Sequence, residues 1–374
     1  MLYFDHNATH PLSAAAREAW LEATERFIGN PSSPHRLGSR ADKALDQARE
    51  RLAGWLGCAA SQIIWTSGAT ESCNAALAHA AQASDGEAWI SSVEHPCVVA
   101  ATKRYFPKRH GTLPHLPSAV ADIEYLEEAL DHERPALVAI MAANNETGVV
   151  QPWQKALALC QWHRVPFFCD AAQWVGKLPA AGLGAADFVA GCAHKFGGPV
   201  GVGFLKVPAR FQPLIVGGPQ EEGRRAGTEN VAGILAMMAA LAEREAQLED
   251  AAATAIRVEW KRNFERELLA ALPGSSIVGS PADRLWNTVS AVMPELADCR
   301  QRWVVKLDKL GFAVSTGSAC ASGKEKISHV LEAMGMAPAE ASRVLRFSSG
   351  WETSGEDWRR LLDGLRQAHA ELAG

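Results

Sequence analysis

The chain has 374 residues, 48% hydrophobic and 21% charged, with 31 Gly, 19 Pro and a formal net charge of −5. That length exceeds one ordinary core and predicts two domains, and the composition excludes a disordered or fibrous chain. With a small negative charge, no long Lys/Arg run and no apolar stretch of membrane-spanning length, nucleic acid and membrane are not expected partners.

The first residues, Met1-Leu2-Tyr3-Phe4-Asp5-His6-Asn7, carry neither a charged leader nor an apolar core, so no signal peptide is expected. Residues 14–26 and 39–56 have helical apolar spacing. The turn-rich Gly29-Asn30-Pro31-Ser32-Ser33-Pro34-His35-Arg36 joins them. From about 62 to 215, short apolar runs alternate with helical stretches, as at 62–66, 88–91, 136–141 and 166–169. Such alternation predicts a mainly parallel sheet covered on both faces. Residues 230–256 read as one long Ala/Leu/Met-rich helix continuing into 258–261. Beyond it, strands near 288–293, 312–315 and 344–347 and helices near 327–334 and 356–371 predict a smaller α/β domain. The expected division is 14–256 for the large domain, with 1–13 joining 257–374 in the small one.

Several strand ends carry chemistry. Ser67-Gly68-Ala69-Thr70 follows an apolar run and opens a helix, which suits either a plain N-cap or a phosphate cup. Glu94-His95-Pro96 puts a histidine at another strand end; it is either structural or able to stack on a ring and carry protons. Asn144-Asn145-Glu146-Thr147-Gly148 is a polar cluster after a buried strand, read equally as a self-satisfying turn. An apolar run ends on Asp170, with Gln173 behind it, and a second leads through Cys192 to His194-Lys195. In an α/β sheet both would face one crevice. A strand-end salt bridge explains the pair, and so does pyridoxal phosphate: a lysine binds that cofactor covalently while an acid holds its ring nitrogen protonated.

The eight cysteines (58, 73, 97, 160, 169, 192, 299, 320) include no C-x-x-C pair, which disfavours a zinc ribbon or bound iron–sulfur cluster and fits reduced thiols in a cytosol. Most are expected in the core. Cys320 differs, because Gly317-Ser318-Ala319-Cys320-Ala321-Ser322-Gly323 is a run of small residues that buries little. Lys324 and Lys326 would favour its thiolate, the nucleophilic form. Arg346 lies on an apolar strand and needs an anion, whether a structural partner or a substrate carboxylate.

Taken together, these motifs resemble the cysteine desulfurases, fold-type I pyridoxal-phosphate enzymes, nearly from end to end. Matching stretches are Asn7-Ala8-Thr9, Asn30-Pro31-Ser32-Ser33 with His35, Ser67 to Ser72, Asn144 to Gly148, Asp170 to Gln173 and His194-Lys195. Others are Arg225 to Asn230, Gly317 to Cys320 and Arg346-Phe347-Ser348. The resemblance implies an α/β fold-type I transferase: a large domain with a mainly parallel, seven-stranded-type sheet flanked by helices, and a smaller α/β domain carrying the catalytic-cysteine loop at about 314–327. It implies that Lys195 links to the cofactor, Asp170 pairs with the ring nitrogen and His95 stacks on the ring. Gln173 and Asn145 would serve the ring hydroxyl side. Ala69, Thr70 and His194 would hold the phosphate, with Cys192 where the family usually has a phosphate-binding serine. Thr228 would reach in from the partner subunit of a homodimer, and Arg346 and Asn145 would hold the substrate.

Cys320 would take sulfur from L-cysteine as a persulfide, releasing alanine, for a protein acceptor in iron–sulfur cluster assembly or thio-modification in the cytoplasm. Selenocysteine lyase, another fold-type I enzyme and a non-catalytic sulfur-relay partner are the alternatives. Two departures stand out besides Cys192: Cys73 replaces an acid common in the family, and the chain stops soon after its last helix, without the tail of scaffold-binding relatives.

Overall fold

The computed structural model describes residues 1–296, 299–317 and 327–373, without the side chains of 299–301. Cys320, Lys324 and Lys326, with most of the expected cysteine loop, lie outside the described residues. In chain order the strands are β1 (Leu2–Tyr3), β2 (Ile63–Thr66), β3 (Ala88–Ser91), β4 (His110–Leu113), β5 (Leu137–Ala139), β6 (Phe167–Asp170), β7 (Phe188–Cys192) and β8 (Gly203–Lys206), then β9 (Ser276–Ile277), β10 (Thr288–Val292), β11 (Phe312–Ala313) and β12 (Val344–Ser348). The helices are α1 (Ala14–Arg26), α2 (Arg36–Leu56), α3 (Ala69–Ala83), α4 (Pro96–Tyr105), α5 (Ile123–His132) and α6 (Trp153–His163), then α7 (Val231–Glu249), α8 (Ala251–Ala271), α9 (Cys299–Lys309), α10 (His329–Ala333), α11 (Pro338–Ala341) and α12 (Gly355–Ala373).

Seven strands form one sheet in the order β2-β8-β7-β6-β5-β3-β4. All neighbours run parallel except β8, which is antiparallel to both β2 and β7. Successive residues serve opposite faces. Trp65, Val138, Phe167 and Val189 pack with residues of α2, α5, α6 and α7. Ile64, Ala139, Phe168 and Ala190 pack with α3 and α4. Burial on both sides is why these strands read as continuous apolar runs rather than alternating ones. The expected sheet is present, with all seven strands.

A second apolar core gathers Phe4, Phe264, Val289, Trp303, Phe312, Leu345, Phe347 and Trp358 from both ends of the chain. Around it lie a three-stranded sheet, β12-β10-β9, and the parallel pair β1-β11. The single long helix expected over 230–261 is instead two. Asp250 interrupts it, and its carboxylate accepts from the Ala253 N–H at 2.9 Å, capping α8. A good N-cap within an Ala/Leu run starts a new helix where apolar spacing alone reads as continuous. Among the described residues, no helix is long and apolar enough to cross a membrane.

Candidate active site

A cleft of about 660 Å³ opens where the parallel strands end. Segments at the ends of five strands supply one wall: residues from Ser67–Glu71 after β2, His95–Cys97 after β3, Met141–Glu146 after β5, Asp170–Gln173 at the end of β6, and Cys192–Lys195 at the end of β7. That is the crevice in which open α/β sheets hold ligands. The other wall comes from Asn7-Ala8, Ile327–His329 and Arg346.

The β2–α3 turn depends on Gly68, whose φ of 151° and ψ of 177° only glycine adopts readily. Open space surrounds its missing side chain, so conformation selects glycine there. At Gly203 the reason is contact: a Cβ would lie 2.7 Å from Gly68 Cα. Gly68 caps α3 without a side-chain hydrogen bond, so the first turn of the helix presents its N–H groups to the cleft, where the Ala69 N–H meets the Cys192 thiol. An uncapped helix start with Thr70 in its first turn is an anion site.

Lys195 and Asp170 line the same cleft. The Lys195 Nζ donates to the carbonyls of Asn7 (2.6 Å) and Ala8 (2.8 Å), and burial holds its pKa below the usual lysine range. Burial also pushes Asp170 up to about 6, although it accepts from the Ala172 N–H at 3.0 Å. His95 caps α4 and its Nδ1 lies 3.0 Å from Cys97 Sγ. Burial works against protonation of His95, but the Cys97 contact outweighs it and the pKa is raised. Cys97 is held down to about 5, first by the Cys73 thiol and, against burial, by His95. Asn145 keeps its Oδ1 buried with no partner among the described residues, while its carbonyl accepts from Arg346 and Asn7.

Of the remaining sequence-derived residues, Ala69, Gln173, Cys192 and His194 also line the cleft. His194 is held down to about 4 by burial, and its Nδ1 meets Thr9 Oγ1 at 3.3 Å. Burial pushes Cys192 up to about 11, so it stays a thiol. Gln173 is engaged by Asn7 and Lys177. Arg346 is buried and already bound: Nη2 to Asp5 Oδ1 at 2.6 Å, Nη1 to the Asn145 and Gly317 carbonyls at 2.8 and 3.1 Å. Among the described residues its Nε has no partner. Thr228 is exposed and does not line its own chain's cleft, although Arg225 nearby forks onto Glu71 at the cleft rim.

Three contributors were not singled out from sequence. Asn7 links four regions: its N–H donates to Ser348 Oγ, its Nδ2 to Thr288 Oγ1 and the Asn145 carbonyl, and its Oδ1 accepts from Asn287 and Lys177. Lys177 is fully buried, which holds it well below the usual lysine range. A lone lysine four residues after a glutamine gives no periodic signal. Cys97, expected in the core with most other cysteines, instead lines the cleft.

The donor set fits pyridoxal phosphate. It offers a buried amine, a carboxylate, an anion-receptive helix start and a buried Asn145 oxygen with no partner among the described residues, in one cleft of ligand size.

The sequence profile of Aminotransferase class-V matches residues 2–361. A cysteine desulfurase of Cereibacter sphaeroides is 39% identical over 373 residues, covering 97% of this chain and 94% of the relative. One from Enterobacter agglomerans is 37% identical over 358 residues, 93% of this chain and 87% of the relative. Among solved structures, a NifS-like protein superposes with a TM-score of 0.89 at 29% identity, covering 99% of this chain and all of that one. A structure described as SspA in complex with cysteine gives 0.79 at 30% identity, over 93% of this chain and 98% of that one. With this match over nearly its whole length, the chain belongs to the class-V aminotransferases, a family of pyridoxal-phosphate-dependent enzymes, and within them to the cysteine desulfurases.

Proposed function

We propose that this chain binds pyridoxal phosphate and transfers sulfur from L-cysteine to Cys320, releasing L-alanine. The observation that carries the reading is the meeting of Lys195, Asp170 and the uncapped start of α3 in one cleft. The cysteine bound in the SspA structure supports the substrate. When bound, the cofactor supplies an electron sink that lets a Cβ–S bond break.

The chain's own residues do the rest. Lys195 would hold the cofactor and carry protons at Nζ; its lowered pKa keeps more of the amine neutral. Asp170 would hold a proton at the ring nitrogen, and an ion pair there would offset the burial that raises its pKa. Ala69 and Thr70 meet the phosphate through α3's N–H groups, with His194 and Cys192 beside them. His95 covers the ring, and Asn145 and Gln173 serve its hydroxyl side. Arg346, fixed by Asp5, offers its remaining donor capacity to the substrate carboxylate. The Cys320 thiolate attacks the substrate sulfur, so that cysteine and the enzyme thiol become alanine and an enzyme persulfide.

The same reading includes a homodimer, in which the exposed Thr228 reaches the partner's cleft. Exposed apolar residues support it, Val216 at 78% and Val200, which lines the cleft, at 76%. It also includes a cytoplasmic protein acceptor serving iron–sulfur assembly or thio-modification, and the division into 14–256 and the remainder.

The test is direct. Purified protein should absorb as a lysine-bound cofactor and release equimolar sulfide and alanine from L-cysteine with a reductant. Cys320→Ser should keep the cofactor absorbance and form no persulfide. Turnover of Cys320→Ser at the wild-type rate would overturn the nucleophile; absence of cofactor absorbance after adding pyridoxal phosphate would overturn the whole reading.

A further inference from the structure

Beneath the cleft, Cys73, Cys97 and Asp170 each bring one ligand atom, and the three atoms lie within 4.8 Å of one another. Cys73 Sγ stands 4.0 Å from Asp170 Oδ2. Three separate, well-packed elements fix them: Cys73 on α3, Cys97 in the first turn of α4, and Asp170 at the end of β6. Cys73 and Asp170 are buried, whereas Cys97 faces the cleft and gives an entry path. None of the chemistry proposed above uses either thiol.

We propose that Cys73, Cys97 and Asp170 form a three-ligand site for a thiophilic divalent cation, Zn²⁺ in particular, and that this cation and the cofactor compete for Asp170. Two sulfurs and one carboxylate suit zinc and disfavour Mg²⁺ or Ca²⁺, which take oxygen ligands. Zinc bonds of about 2.3 Å to sulfur and 2.0–2.2 Å to oxygen require tetrahedral ligand atoms roughly 3.5–3.8 Å apart. The observed spacing therefore closes with side-chain movements below about 1 Å. Three protein ligands leave the fourth position open to water. His95 Nδ1, 3.0 Å from Cys97 Sγ, orients that thiol as outer hydrogen-bond partners of metal ligands do. Binding releases the thiol protons still present to solvent and changes no oxidation state. The competition rests on the functional reading that Asp170 serves the ring nitrogen: a carboxylate bound to Zn²⁺ is a poor partner for a cationic ring. Linkage then makes the antagonism mutual, each ligand weakening the other by the same factor.

The experiment uses the full chain as Cys320→Ala, which removes a loop thiol able to take zinc elsewhere. Protein freed of cofactor is dialysed against ZnCl₂, and bound zinc is counted by elemental analysis. One zinc per chain is expected, falling to none in Cys97→Ala and in Cys73→Ala. Cys97→Ala places a good helix former in a first helical turn, and a melting curve confirms that it folds. Cobalt should show thiolate charge-transfer absorption with the same dependence on both cysteines. Pyridoxal phosphate is then titrated by absorbance with and without zinc. Zinc should weaken its binding by a factor on the order of ten to a hundred, and have no effect in Cys97→Ala. Zinc retained undiminished in both variants, no zinc bound, or bound zinc with unchanged cofactor affinity would each overturn the proposal. Failure of the zinc-free protein to take up cofactor would overturn the functional reading instead, and the stoichiometry would still decide the ligand set.

Discussion

The two walls of the cleft are built on different principles. On the sheet side, Thr70, His95, Asn145, Asp170 and Lys195 each follow the end of a different strand, and the backbone of the buried sheet places them. On the opposite side, Asn7, Ala8 and Arg346 come from the far ends of the chain and are placed by side-chain hydrogen bonds centred on Asn7. The first wall is a consequence of topology. The second is a polar network, in which the loss of one member leaves several buried neighbours each a hydrogen bond short. Substitutions on the sheet wall should therefore alter chemistry at modest cost to folding, and substitutions on the network wall should alter both.

The sharpest break in that contrast is Lys195→Ala. Desulfuration should fall by at least about 10²–10⁴-fold, with melting temperature nearly unchanged; sulfide assay and calorimetry read the two, and retention of activity would remove Lys195 from its role. Asn7→Ala should behave oppositely. It removes one hydrogen bond each from Lys177, Asn287 and Thr288, which keep Gln173, Ser349 and Asn287 as remaining partners, at about 0.5–1.5 kcal/mol per bond, so a loss of about 3 kcal/mol is expected in denaturant unfolding, together with weaker cofactor binding. A loss below about 1 kcal/mol would show that the network relaxes around the gap.

Asp170→Asn sharpens the comparison with pH. Burial raises this carboxyl from 3.8 to about 6, so the folded chain holds its proton more tightly than the unfolded chain does. Folding then loses stability as pH rises between about 4 and 6, by up to about 3 kcal/mol, and the cost persists above that window. Asparagine removes it. The cofactor-free variant should melt higher than wild type at pH 7.5 and the same near pH 4, while its bound cofactor loses the partner of the ring nitrogen. Equal melting at pH 7.5 would refute the raised value. The smallest effect is expected for Gly68→Ala: about 1–3 kcal/mol of backbone strain, without a steric clash, and weaker phosphate binding in a cofactor titration.

The same contrast marks how much could be read from the residues alone. Asp170 and Lys195 are legible because each follows an apolar run, and a strand end has one place to be in a parallel sheet. Both faces of that sheet were equally plain, since apolar runs bounded by turns already imply burial on two sides. Asn7 was legible only as part of a motif, because its partners lie up to 341 residues away and nothing local announces a hydrogen bond of that span. Lys177 is hidden for the same reason. Cys97 looked like a core cysteine because no spacing rule separates a thiol in a first helical turn at a cleft from one inside the protein. The interruption at Asp250 was missed because apolar periodicity carries across a cap that a single carboxylate creates.

Lys195 is steadied by carbonyls of Asn7 and Ala8, and that segment is itself pinned to the last strand. The Ser348 N–H donates to the Phe4 carbonyl at 2.8 Å, and Asp5 pairs with Arg346. The Lys195 amine is thus held in place only where residues 4–8 lie against β12, a contact that the seven-stranded sheet does not itself supply.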